Sequence, residues 1–185
     1  MLPAMSSGQW ASLALASVLA FWLVGAYNRL VALRNVIGNA FAQVDELVQR
    51  RAAAASALAD LVRPAMDSEQ AALDTWLAAQ VVARQAARAL RERPVAAQRA
   101  AAVTAAEPPL AAATARVMAL LEQHPAAAAQ ATAAAHLATL RETEARLVFA
   151  RQVYNDAALA YNDAARQFPT RLLTRLYGFG TAGRL

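Results

Sequence analysis

An unbroken apolar run opens the chain and gives way to a helical pattern. No charged side chain precedes Arg29, and the run from Trp10 to Tyr27 is predominantly apolar. About 20 such residues in a helix span the hydrocarbon core of a bilayer. The pattern predicts a short tail over 1–8 and a transmembrane anchor over 9–27. A cleaved signal peptide is the alternative, and it is disfavoured because no basic residue precedes the run.

After the anchor, apolar residues recur at steps of three and four, which is typical of one helix face. Prolines break this pattern at intervals. The sequence therefore predicts an all-α fold, an antiparallel four-helix bundle of long alanine-rich helices over 28–168. The expected segments are a first helix continuous with the anchor to about 63, a second to Glu92 with Asp67 as its N-cap, a third interrupted at Pro108-Pro109 where a new helix begins, and a fourth over about 129–167.

Short loops make successive helices antiparallel, so the fourth helix is expected to return to the membrane. The segment that follows, 169–185, contains no acidic residue and predicts a basic amphipathic tail. The tail either lies on the membrane surface or caps the open end of the bundle. Its candidate membrane-surface contacts are Arg171, Leu172, Leu173, Arg175, Leu176 and Phe179.

A literal seven-residue repeat, YNDAALA followed by YNDAARQ, begins at Tyr154. A strict heptad keeps equivalent side chains on one seam of a helix, as in coiled coils. Two interpretations remain open for its Tyr-Asn pairs. They organise the membrane-proximal end or a subunit contact, or they only pack and satisfy the bundle interior. The candidate packing and assembly contacts are Tyr27, Asn28, Tyr154, Asn155, Tyr161 and Asn162.

The amino-acid composition limits the kinds of chemistry that the protein can carry out. The chain has 53 alanines, 18 basic residues that are all arginine, no cysteine and two histidines. The absence of cysteine excludes disulfides and thiol catalysis. No zinc spacing, basic recognition helix or glycine-rich phosphate loop occurs, so nucleic acid is not expected as a partner. Neither histidine belongs to the Glu-x-x-His pair of di-iron bundles. We therefore expect no enzymatic activity, catalytic residue, metal site or cofactor.

Two stretches of the chain resemble the LemA family. The first is YNRLVALRN at 27–35, continuing to Arg50-Arg51, and the second covers 144–179. The motifs of the second stretch are EAR, FAR, YND, YN, FP and YGF. The resemblance implies an antiparallel bundle on a membrane anchor, in the bacterial cytoplasmic (inner) membrane. It carries no established enzymatic activity, and some relatives are tied to membrane organisation, including magnetosome membranes.

The functional expectation is a non-enzymatic, membrane-anchored scaffold that contacts the lipid bilayer and self-associates as a homo-oligomer. The alternative is a regulatory module that binds another membrane protein, such as a membrane protease. Arg29 and Arg34 follow the anchor closely, whereas the N-terminal flank has no basic side chain. The positive-inside rule therefore predicts that the bundle lies on the cytoplasmic side.

Overall fold

The computed structural model describes residues 7–168, 170–171 and 180–185, and this part of the chain is helical with no strand. α1 packs against α2 and α5, and α2 packs against α3. The predicted all-α fold with four long helices is confirmed. The helices are α1 (Ser7–Val62), α2 (Gln70–Glu92), α3 (Ala97–Gln123), the short α4 (Pro125–Ala128) and α5 (Ala131–Arg166), and two 3₁₀ turns, Arg63–Ala65 and Asp67–Glu69, join α1 to α2.

The apolar N-terminal run and the first bundle helix are one uninterrupted helix. α1 has 56 residues, which at 1.5 Å per residue gives a length of about 84 Å. Every residue from 8 to 25 is exposed, and Leu30 is the first buried one. Among the described residues, this helix alone is long and apolar enough to cross a membrane.

The other end of the bundle returns to the anchor. The rings of Trp22 in α1 and Phe168 just after α5 lie 5.4 Å apart between centroids. Further along the same pair of helices, Phe41 and Tyr154 meet edge to face at 5.7 Å. The contact nearer the N-terminus of α1 therefore lies nearer the C-terminus of α5, so the two helices are antiparallel.

The core is divided into two clusters along the bundle axis. The membrane-proximal core lies nearer the anchor, and the distal core lies at the far end. The larger side chains of the membrane-proximal core are Leu30, Ile37, Phe41, Val44, Leu90, Leu147, Tyr154 and Tyr161. Those of the distal core are Leu58, Met66, Leu73, Trp76, Leu110, Val117, Leu121 and Leu140.

The predicted interruption of the third helix at Pro108-Pro109 is wrong, because α3 runs through both prolines. Proline removes a backbone N–H donor and crowds the carbonyl four residues earlier. Both prolines are exposed, as are Thr104 and Ala105, whose carbonyls lose those donors, so water can satisfy them. Val103, Ala106 and Leu110 are buried on either side of the prolines and hold α3 to the core.

The predicted N-cap at Asp67 is also wrong. Asp67 lies in a 3₁₀ turn, and α2 begins at Gln70 without a side-chain cap. Gln70 instead donates its Nε2 protons to the carbonyls of Arg63 at 3.0 Å and Met66 at 3.1 Å. These two carbonyls also accept the backbone N–H groups of Met66 and Glu69, at 3.2 and 3.1 Å, so the Gln70 amide is a second donor to each.

Candidate functional site: a groove between two helices

A groove separates α3 from α5 along the bundle. Each of these helices packs against its own neighbour, α3 against α2 and α5 against α1. The membrane-proximal half of the groove holds the last described segment, residues 180–185. An ion cluster crosses its middle. The distal half is an open cleft.

Two asparagines of α5 hold the segment 180–185 by its backbone. The Asn162 side chain donates to the Ala182 carbonyl at 2.9 Å and accepts from the Ala182 N–H at 2.8 Å. The Asn155 side chain makes the same pair of bonds with Leu185, both at 2.8 Å. A side-chain amide that binds the N–H and C=O of one residue recognises the backbone of an extended chain. This recognition does not depend on the side chains that the extended chain carries.

The opposite wall of the groove is α3, and there the segment packs closely. A Cβ added to Gly183 would lie 2.7 Å from Cβ of Ala100 and 2.9 Å from Cα of Ala97. The Thr104 hydroxyl lies 3.4 Å from the Arg184 carbonyl. Ala182 is buried in the membrane-proximal core, so the segment is part of the packed structure.

The middle of the groove is crossed by buried charges from three helices. Arg51 of α1 is 5% exposed and grips both carboxylate oxygens of Glu107 of α3, at 3.1 and 3.2 Å. It also donates to Glu144 of α5 at 3.2 Å. Arg151 of α5 forms an ion pair with Glu107 at 2.8 Å. The cluster therefore ties α1, α3 and α5 together where the two cores meet.

For Glu107 and Arg51, the effect of the ion pairs on the pKa outweighs the effect of burial. Burial alone would raise the pKa of Glu107, but hydrogen bonds and charge from Arg51 and Arg151 bring that pKa below its usual value. Burial alone would lower the pKa of Arg51, but Glu107 and Glu144 raise it above its usual value. Both groups are therefore held in their charged forms, as structural ion pairs.

The distal half of the groove is a cleft of about 750 Å³. Gln80 of α2 and Arg51 line it, and each contributes a buried atom without a hydrogen-bond partner, Gln80 Oε1 and Arg51 Nε. Such orphaned groups are costly, because each loses its water without gaining a protein partner. The apolar walls come from α3, α4 and α5, with Leu110, Met118, Leu121, Leu137 and Leu140 as their larger side chains.

The structure brings together four of the six candidate packing and assembly contacts. Tyr154 and Tyr161 are buried and donate their hydroxyls to the carbonyls of Pro94, at 2.9 Å, and Gly180, at 3.2 Å. Burial raises the pKa of Tyr154 to about 12 and raises that of Tyr161 despite the nearby Arg34. With Asn155 and Asn162, these tyrosines form one seam that faces the groove.

The remaining candidates lie elsewhere. Tyr27 and Asn28 are exposed on α1, just after its exposed apolar segment. Thr170 and Arg171 are helical, Arg171 is exposed, and its N–H donates to the Gln167 carbonyl at 2.9 Å. The other predicted membrane-surface contacts, Leu172, Leu173, Arg175, Leu176 and Phe179, lie outside the described residues.

Sequence reasoning missed the ion cluster and the cleft. Arg151 lies three residues before the Tyr-Asn heptad, where nothing in the sequence marks its partner, yet it pairs with Glu107 across the groove. Glu142 and Arg146, in contrast, are four residues apart on α5 and pair on the surface at 2.7 Å. The only signal for the cluster was that Arg51 and Glu107 are charges in alanine-rich helical segments. Within the described ranges, no three His, Asp or Glu residues are grouped closely enough to hold a metal ion.

The comparisons with known proteins point to one family. The family model described as the LemA family matches residues 40–184, which includes the groove, the ion cluster and most of the segment held in it. No match is found among curated proteins.

Proposed function

The chain belongs to the LemA family, and from this premise we propose that it is a non-enzymatic, membrane-anchored helical scaffold that self-associates in the plane of the membrane. The observation that carries the proposal is the continuity of α1. The exposed apolar segment at 8–25 and the buried bundle positions from Leu30 onward belong to one helix. Because α1 is continuous, the orientation of its apolar segment sets the orientation of the bundle. Each copy of the bundle anchored in this way therefore presents the same faces to neighbouring copies.

An exposed apolar patch on α5 supports lateral contact. Val148 and Leu159 are 66% and 54% exposed, and eleven residues, about three helical turns, place them on one face of the helix. Phe149 lies beside them and is 71% exposed. We call these three residues the α5 outer patch. Exposed apolar patches on otherwise polar surfaces are typical of interaction sites.

The assignment as a non-enzyme rests on how the buried charges are used. Arg51 and Arg151 both pair with Glu107, and Arg51 also pairs with Glu144, so two positive and two negative charges neutralise one another across the bundle. Their carboxylate and guanidinium groups are held in place as structural ties between helices. The bundle is proposed to lie on the cytoplasmic side of a bacterial inner membrane, because Arg29 and Arg34 flank the exit of the anchor.

Light scattering of the full-length protein in mild detergent, with the micelle mass subtracted, tests self-association. A homogeneous multimer is expected, and replacing both Val148 and Leu159 by glutamate should dissociate it. Replacing Val81 and Val82, which are exposed on α2, by glutamate is the matched control and should leave the multimer intact. A monomer at every concentration would contradict the proposal.

The second candidate function is a module that binds another membrane protein, such as a membrane protease. The open distal cleft favours it, because a cavity of that size with apolar walls and a few polar groups is typical of a binding site. Recovery of one stoichiometric partner with a monomeric bundle would favour this candidate over the scaffold.

A further inference from the structure

The groove between α3 and α5 already binds one extended segment of chain. In its membrane-proximal half, Asn155 and Asn162 each hold one N–H and one C=O of the segment 180–185. The distal cleft continues the same groove between the same two helices, beyond the ion cluster of Arg51 and Glu107. The distal cleft is therefore continuous with a binding surface for extended chain that the bundle uses on itself.

Two polar atoms of residues that line the cleft lie just beneath its surface, each with less than 1 Å² exposed. Gln80 Oε1 accepts, Arg51 Nε–H donates, and neither has a partner. Both residues are more than nine-tenths buried, at 3% and 5% exposure. One acceptor and one donor complement the N–H and C=O of a peptide backbone, which is the pattern that Asn155 and Asn162 satisfy in the other half of the groove.

The size and charge of the cleft define its ligand further. Its α3 wall extends from Glu107 to Glu122, a rise of about 22 Å, which about seven residues of extended chain would match. The charges at its inner end, Arg51 and Glu107, neutralise each other. Its other charged lining residues, Glu122, Arg141 and Glu144, are exposed to solvent, and the apolar side chains of its walls favour an apolar ligand.

We propose that the distal cleft binds an extended, apolar peptide segment of a partner protein, and that Gln80 turns its Oε1 toward the cleft to accept a backbone N–H. The proposal rests on the second candidate function, partner binding, and supplies its site. It does not depend on self-association, and the two are tested on different helices: Ala115 of α3 for the cleft, and Val148 and Leu159 of α5 for the multimer.

The test uses the full-length protein in nanodiscs and a synthetic library of acetylated, amidated heptapeptides with Ala, Val, Leu or Thr at each position. Retained peptides are identified by mass spectrometry. Ala115 lines the cleft and is exposed, so Ala115→Trp should fill the cleft without disturbing the core. Ala112 is exposed on the same helix outside the cleft, and Ala112→Trp is the matched control. Retention by the wild type and by Ala112→Trp, and its loss with Ala115→Trp, are expected.

A second comparison tests the contact with Gln80. Gln80→Leu should weaken the best peptide about tenfold, the effect of removing one buried hydrogen bond. A version of that peptide N-methylated at the bonded residue should bind both proteins with the same weakened affinity. No enrichment over Ala115→Trp overturns the proposal. A cleft filled by a second copy of the chain also overturns it. Either leaves partner binding to be judged separately, by recovery of a stoichiometric partner.

Discussion

The Asn162 side chain and the Ala182 backbone form a closed pair of hydrogen bonds at 2.8 and 2.9 Å. Asn155, one heptad earlier, repeats the pair with Leu185, three residues further along the segment. Seven helical residues rise about 10.5 Å, and three extended residues rise about 10 Å. The heptad in α5 is therefore matched to the rise of an extended chain that runs beside it in the opposite direction.

Replacing both Asn155 and Asn162 by alanine should release the segment 180–185 from the groove. Four hydrogen bonds would be lost, and each net contribution is about 1 kcal/mol. Backbone amides of Ala182 and Leu185 should then exchange hydrogen with solvent much faster, and trypsin should cleave after Arg184. Hydrogen exchange followed by mass spectrometry measures the first effect, and intact mass after limited digestion measures the second.

Asn39 is exposed on α1 and provides the control, because Asn39→Ala removes a side-chain amide of the same kind away from the groove. This variant should keep wild-type protection at 182–185. Unchanged protection in the Asn155→Ala, Asn162→Ala protein would show that packing of Ala182 and Leu185 alone holds the segment.

Gly183→Ala should destabilise the same segment through its opposite face. The added Cβ would lie 2.7 Å from Cβ of Ala100, and the backbone of Ala97 is also too close to move aside freely. Overpacking of this kind typically costs about 1–3 kcal/mol, measurable as a lower urea midpoint. Gly180→Ala is the matched control, because nothing lies within 4 Å of a Cβ there. Equal midpoints for the two variants would contradict the close contact.

The positions of the helices follow from local sequence, but the groove does not. Steps of three and four apolar residues, with breaks near Pro64, Pro94 and Pro125, predict the long helices because each pattern and each break acts within a few residues. Pro108-Pro109 shows the limit of that reasoning. Burial of Val103 and Leu110 on either side of it outweighs the local preference to end a helix.

The candidate site depends on residues that are distant in sequence. Arg51 and Glu107 are 56 residues apart, and no helical periodicity relates them. The Tyr-Asn heptad did identify a seam of α5. Its partner is a six-residue stretch, GTAGRL, with too few apolar residues to show a periodicity. The stretch binds through its backbone atoms, which every residue carries. Its amino-acid sequence therefore gives little indication that it binds.

Glu107→Gln should lower stability at neutral pH and remove part of its acid dependence. Leaving Arg51 buried beside a neutral amide should cost about 3 kcal/mol, the lower end of the range for breaking a buried ion pair. The pKa of Glu107 is lowered in the folded state. Its stabilisation is therefore fully present above the unfolded pKa of about 4.3 and is lost as the pH falls through the lower folded pKa.

Urea unfolding at a series of pH values from 7 to 2 measures this effect. The difference between wild type and Glu107→Gln should be constant down to about pH 4.3 and shrink below it. Glu46 is exposed on α1, and Glu46→Gln is the control that should follow the wild-type curve throughout. A difference between wild type and Glu107→Gln that stays constant to pH 2 would show that the carboxylate charge is not what stabilises the cluster.

Thr114→Val should destabilise the distal core by removing the partner of a buried tryptophan. Trp76 is fully buried, and its indole N–H donates to the Thr114 hydroxyl at 2.9 Å. Valine keeps the shape of threonine but leaves the N–H unpaired, which costs about 1–3 kcal/mol. Thr139→Val is the matched control, since that exposed hydroxyl bonds only the Ala135 carbonyl of its own helix. Thermal unfolding should separate the two variants, and equal losses would mean that the Trp76–Thr114 bond adds nothing to the distal core.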